Sequence, residues 1–145
     1  MFNAYVLALK GSIRTLVLIG ACATGGAAVL FLGLGMDTPW APWERDSNIM
    51  FPPALFTLAT FVATIAFCAG TVVYHTFLKS ITTDADKWWR TTGSVFLLAY
   101  GLYSFGSGTL EAAITLNLLH LIVGIPALIL LPRALENKPD NTTQP

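Results

Sequence analysis

Apolar positions in this chain form long uninterrupted runs instead of the short alternations of a soluble fold. No charged residue breaks the stretch from Thr15 to Met36, which is bounded by Arg14 and Asp37. A second run lies between Pro53 and Leu78, and between Arg90 and Arg133 the one charge is Glu111. A helix rises about 1.5 Å per residue and the hydrocarbon layer of a bilayer is about 30 Å thick, so one crossing takes about 20 residues. The first two runs each predict one span, the second with length to spare for tilt. The third is about twice as long as one crossing and predicts a helical hairpin. Its turn falls at Gly106-Ser107-Gly108-Thr109, because Gly breaks helical preference and Ser or Thr can cap the next helix. The pattern therefore predicts an all-α, four-helix transmembrane bundle with spans at about 15–36, 53–78, 91–108 and 111–131. These make one domain, residues 1–135, followed by a polar, flexible cytoplasmic tail, 136–145.

The ends of the runs carry further information. Residues 1–10 either lie on the membrane surface or extend the first helix, with Phe2, Tyr5, Val6 and Leu9 on one face. The first run exceeds the 7–15 apolar residues of a signal peptide, so it is expected to remain as a span. Glu111 falls in the first turn of span four, where the helix dipole favours a carboxylate. The plain reading is an acid at the membrane interface; the sharper one is a buried carboxylate that takes a proton or cation.

Lys10 and Arg14 precede span one, Lys79, Lys87 and Arg90 separate spans two and three, and Arg133 and Lys138 follow span four, leaving Arg45 alone on the other side. Basic residues favour the cytoplasmic side, so both termini are expected there. Trp88 and Trp89 would anchor the inner interface, and Trp40 and Trp43 the outer one. The outer loop from Asp37 to Asp46 holds two prolines and two tryptophans, which suits a lipid interface or a protein contact.

Composition sharpens the class. Of 145 residues, 54% are apolar and 11% charged, with a mean hydropathy of +0.65; a soluble domain carries about 25% charge. Eight basic residues balance eight acidic ones, which leaves no electrostatic footprint for nucleic acid. Cys22 and Cys68 sit inside apolar runs and read as buried small hydrophobes, not as a disulfide or half a metal site.

Small and weakly polar residues mark where membrane helices approach each other. Span four offers the stripe Ala113, Asn117, His120, Gly124 and Ala127; span two offers Thr57, Thr60, Thr64, Cys68, Thr71 and His75, with Ala59, Ala63, Ala66 and Gly70 alongside. Span one adds Gly20, Ala23, Thr24, Ala27 and Ala28, and span three adds Ser94, Gly101, Ser104 and Gly108. Thr hydroxyls can return a hydrogen bond to a carbonyl three or four residues back. A tight bundle is the economical reading, and a polar conduit or ligand channel the alternative. Pro126 removes one backbone donor within span four and is expected to bend it.

The chemistry is sparse. His120 lies 13 residues before Arg133, about 19 Å from the inner boundary, whereas His75 lies four residues before Lys79, about 6 Å from it. A shared haem iron or metal ion needs both at one level, so bis-histidine haem is disfavoured and no metal site is expected. For His120 the structural reading gives its proton to Asn117, a span-two Thr or a carbonyl; the functional reading makes it a contact for a pigment or a quinone head group. His75 reads as a boundary residue. Asp37, Glu44, Asp46, Asp84, Asp86, Glu136 and Asp140 are assigned to loops or the tail, so no catalytic triad or paired intramembrane carboxylates can be assembled.

Several residues carry a resemblance: Trp89-Arg90 closing a charged loop, Ser104 late in span three, and Leu116-Asn117-Leu118-Leu119-His120-Leu121-Ile122-Val123-Gly124 followed by an apolar run to Leu131-Pro132-Arg133. Over its last 60 residues the chain resembles an uncharacterised family of small four-pass bacterial membrane proteins. It departs from that family in having Leu119 where methionine is common, and in lacking a proline after the span-three serine. The resemblance implies four spans and a bacterial inner membrane, adds weight to His120, and is silent on activity. The expected function is that of a non-catalytic accessory or scaffolding subunit of a larger respiratory or photosynthetic membrane complex, with the bilayer and other membrane subunits as partners. The alternative is binding or transport of a lipid, quinone or pigment along the Thr57–His75 stripe and the Asn117/His120 pair; an enzyme stands third.

Overall fold

The first two apolar runs each become a helix and the third becomes a pair of helices, with ends set by glycine, by proline and, at the last helix, by a threonine cap. The computed structural model describes residues 2–41 and 49–136. Helix α1, Phe2–Ala27, passes without a break into a π-helical stretch, Ala28–Gly33, so that 32 residues are continuous. It ends where Leu34 N–H donates to Val29 O at 2.9 Å and Gly35 takes φ +66°, a conformation suited to glycine. The first residues therefore extend the helix and do not form a separate surface segment. Ser12 is buried with Oγ 2.8 Å from Ala8 O, and Ala8 and Leu9 pack on the core of Leu16, Ile19, Cys68, Val72, Ala127 and Leu131.

Helix α2, Pro53–Ile81, starts with Pro53 at a position that needs no N–H, and stops at Thr82, whose backbone is extended. Helix α3, Ala85–Tyr103, runs into one 3-10 turn, Ser104–Gly106. Helix α4, Leu110–Glu136, continues through Pro126 and Pro132. Its start is capped by Thr109 Oγ1, which accepts the Ala112 N–H at 3.1 Å, with Glu111 in the first turn. The turn lies where the glycines predict it. Three segments are long and apolar enough to cross a membrane: Phe2–Gly33, Pro53–Ile81 and Leu110–Glu136. Helix α3 is the fourth; Asp86, Lys87 and Arg90 occupy its first turns, so its apolar part begins only at Thr91. No strand occurs among the described residues, where one isolated bridge joins Trp40 to Met50.

Helix α1 packs against both α2 and α4, α3 lies mainly on α4, and α2 and α3 meet sparsely. Glycines permit the closest approaches: a Cβ at Gly20 would stand 2.8 Å from Ile65 of α2, and one at Gly26 3.1 Å from Ile122 of α4. On the α3–α4 seam Gly93 receives Leu128, Gly124 receives Leu97, and Gly101 receives Asn117. The outward faces are apolar, as at Val17, Leu58, Val62, Leu98, Leu102 and Leu121.

The loop after α1 is pinned to the α3–α4 turn. Trp40 N–H donates to Ser107 O at 2.8 Å, Thr109 Oγ1 donates to Asp37 Oδ2 at 2.8 Å, and Asp37 N–H donates to Glu111 Oε1 at 2.9 Å. Glu111 thus anchors a loop. Cys68 is buried as expected, whereas Cys22 is exposed on the outer face of α1.

Candidate functional site

Small side chains on one wall of α2 leave a gap that no other helix fills. Ala63, Ala66 and Gly70 face the direction of α3, and a Cβ added at Gly70 would meet nothing within 4 Å. Helices α2 and α3 bridge the distance only with long side chains: Phe67 stacks on Phe96 with centroids 5.9 Å apart, and Tyr74 Oη lies 3.4 Å from Thr92 Oγ1. Behind these contacts lies a cavity of about 770 Å³ bounded by α2, α3 and α4. Pockets that hold drug-sized ligands measure about 300–1,000 Å³.

The lining runs from Phe56 to Tyr74 on α2, from Trp89 to Tyr100 on α3 and from Leu116 to Leu128 on α4. At 1.5 Å per residue, the part shared by all three helices is about 17 Å long. Most of the wall is aliphatic or aromatic. Its threonines are largely spent on their own helix: Thr60 donates to Phe56 O at 2.9 Å and Thr71 to Cys68 O at 2.7 Å.

His120 is the imidazole on this wall. Its Nδ1 lies 3.3 Å from Oγ of Ser104, a buried residue of the 3-10 turn, and Ser104 Oγ lies 2.9 Å from Tyr100 O. The ring of Tyr100 stands edge-on to His120 at 5.5 Å. Neither Asn117 nor a span-two threonine is the partner, contrary to expectation. Asn117 Nδ2 donates instead to Gly101 O at 3.2 Å and Ala113 O at 2.9 Å, tying α4 to α3.

His75 occupies a different setting. It is buried, its Nε2 lies 2.6 Å from Asp86 Oδ1, and its ring meets Trp89 edge-on at 5.8 Å. His75 Nδ1 and Trp89 Nε1 are buried without a hydrogen-bond partner. The hydrogen bond to His75, helped less by one from Glu136 and by the charges of His75 and Lys79, holds the Asp86 carboxyl below its ordinary value against the opposing effect of burial.

The structure therefore divides the expected site residues. Thr64, Thr71 and His120 border the cavity; Cys68 belongs to the core facing α1 and α4, His75 joins α2 to α3, and Asn117 lies on the α3–α4 seam. Trp88 is exposed, but Trp89 is 3% exposed and packs with Leu78, Ala85 and Leu128, so its ring meets protein where an interface anchor was expected. The Trp40 indole closes over Gly108, where a Cβ would lie 2.5 Å from its Nε1. Trp43 lies outside the described residues, as do residues 137–145 of the tail.

Asp86 is the participant that the sequence reading misses. The charge pattern places it in the loop between spans two and three, whereas it stands in the first turn of α3. The spacing of Asp86 and Trp89, one helical turn apart and just beyond the α2 terminus, is the signal that points toward His75.

In comparisons with known proteins the chain matches no family model, no curated protein and no solved structure.

Proposed function

We propose that this chain is an integral membrane protein crossing the bilayer four times, and that it holds an apolar small molecule of the lipid, quinone or pigment class between α2, α3 and α4. Three long apolar helices support the crossing. The stretch from Thr91 to Gly106 supplies a fourth path of about 24 Å at 1.5 Å per residue. Along the sequence, seven of the eight basic residues precede the first span, separate the second from the third or follow the fourth, which supports both termini in the cytoplasm of a bacterial inner membrane.

The observation that carries the binding reading is the cavity of about 770 Å³, apolar along its length and bordered by one imidazole. Such a composition suits an elongated hydrophobic molecule oriented by very few polar contacts. Protein purified in lipid nanodiscs, then extracted with organic solvent and analysed by mass spectrometry, should release one small molecule in near-stoichiometric amount. Gly70→Phe, which places a ring into the open space, should abolish that release while the helical circular dichroism is retained. No enriched molecule from the parent protein would count against the reading.

A second reading is the accessory subunit of a larger complex. Ala63, Ala66 and Gly70 form the kind of small-residue wall that another transmembrane helix can approach closely. A polypeptide that co-purifies in fixed ratio and is displaced by Gly70→Phe would favour this over a small molecule.

A further inference from the structure

The polar chemistry of the cavity turns on one proton. Ser104 has a single hydroxyl hydrogen and two acceptors in reach, Tyr100 O at 2.9 Å and His120 Nδ1 at 3.3 Å. The shorter contact is the back-bond to the carbonyl four residues earlier that serines in apolar helices make, and it takes the hydrogen. The Ser104 Oγ lone pair then faces His120 Nδ1, so Nδ1 must supply its own hydrogen. A neutral imidazole has one N–H, and the partner of one ring nitrogen fixes the state of the other. Nε2 is therefore left as a bare lone pair. No described residue donates to it, and it is not among the buried atoms sealed from contact.

We propose that the molecule held in this cavity carries a hydroxyl group, which donates a hydrogen bond to His120 Nε2. This rests on the cavity being a binding site and adds the chemical class of its occupant. At His120 Nε2 a ketone, an ether or an oxidised quinone offers only acceptors and would set lone pair against lone pair. An alcohol or a reduced quinol offers the missing donor. Of the other hydroxyls on the wall, Thr60, Thr71 and Thr92 are bonded to their own helix, whereas those of Thr64 and Tyr100 are free to meet further polar groups of the occupant; the His120→Phe variant separates their contribution from that of the imidazole.

The test uses the full chain in nanodiscs of phosphatidylcholine, with ¹⁵N-labelled histidine and two probes that share one chain and differ by a methyl group on the oxygen, geranylgeraniol and its methyl ether. Without probe, His120 should show a protonated Nδ1 and an unprotonated Nε2. Geranylgeraniol should shift the Nε2 resonance and bind about tenfold more tightly than the ether, the scale of one hydrogen bond in a dry site. His120→Phe should level the two affinities. Ser104→Ala, which frees the ring to carry its proton on either nitrogen, should narrow the gap while both probes still bind. Equal binding of alcohol and ether by the parent protein would overturn the hydroxyl assignment and leave the cavity reading intact. So would a proton found on Nε2, or a co-purifying metal macrocycle with its metal on Nε2. Binding of neither probe, with no endogenous small molecule, would overturn both.

Discussion

His75 and His120 are both imidazoles within apolar stretches, and their neighbours give them opposite roles. His75 is closed off: Nε2 is bonded to Asp86, and Trp89 covers the ring. His120 keeps one nitrogen open to a cavity. Removing the partner of His75 leaves a buried donor unsatisfied, so Asp86→Ala should cost about 1 kcal/mol in unfolding experiments. The lower end of the usual range applies because Asp86 is 40% exposed and water can partly replace it. The pH dependence has a definite sign. Because the folded-state pKa of Asp86 lies below its unfolded value, the contribution is complete above the ordinary carboxylate pKa, about 3.9, and fades as pH falls through the lower folded value. The share of the stability gap between parent and Asp86→Ala that comes from the Asp86 carboxylate should thus close in strong acid. A gap that widened below pH 4 would contradict this assignment. From the sequence, His120 was legible as a midspan polar group, but its serine partner was not, because that contact joins two helices.

Between elements, the same residue type does different work depending on what faces it. A methyl group at Gly101 would stand 2.8 Å from Asn117 Oδ1 and disturb a side chain that links α4 to the Gly101 carbonyl. Gly70 faces open space. Gly101→Ala should therefore lower thermal stability in detergent, whereas Gly70→Ala should raise it by about 0.5–1 kcal/mol, the ordinary gain in helix propensity. Equal responses would mean that the α3–α4 seam is not as close as described. Gly108 combines φ +121° with the Trp40 indole overhead. Gly108→Ala should cost about 2–3 kcal/mol from backbone strain and displacement of the ring, read as a lower unfolding midpoint in detergent and a changed Trp40 fluorescence. The glycine and threonine turn before α4 was readable from local preference. The locking of that turn by Asp37 and Trp40, more than sixty residues earlier, was not.

For the molecule as a whole, α1 is the common support of α2 and α4, while α3 reaches the rest through α4. That asymmetry opens the cavity on the side where α2 and α3 should otherwise close. The four-crossing proposal makes a direct prediction for single cysteines placed in a variant lacking Cys22 and Cys68. A membrane-impermeant maleimide should modify Ser80→Cys, at the exposed end of α2, from the cytoplasmic side only. It should modify Ile49→Cys, in the loop joining α1 to α2, from the opposite side only. Both positions labelled from one side would remove α2 from the membrane and the topology with it.

Run length, proline and glycine made the four helices and the starts of α2 and α4 legible along the chain, because these signals act within a few residues; the early start of α1, the charged first turns of α3 and the later end of α4 were not. The sequence by itself also placed the imidazole of His120 far from any charged boundary. Tertiary packing alone decided which small residues close a seam and which leave a void, since Gly101 and Gly70 are alike along the chain and differ only in what stands opposite. It likewise brought Asp86 to His75 and Ser104 to His120. The physical reason is range: helix formation and capping act within about four residues, whereas hydrogen bonds between helices and the filling of space depend on how neighbouring elements meet.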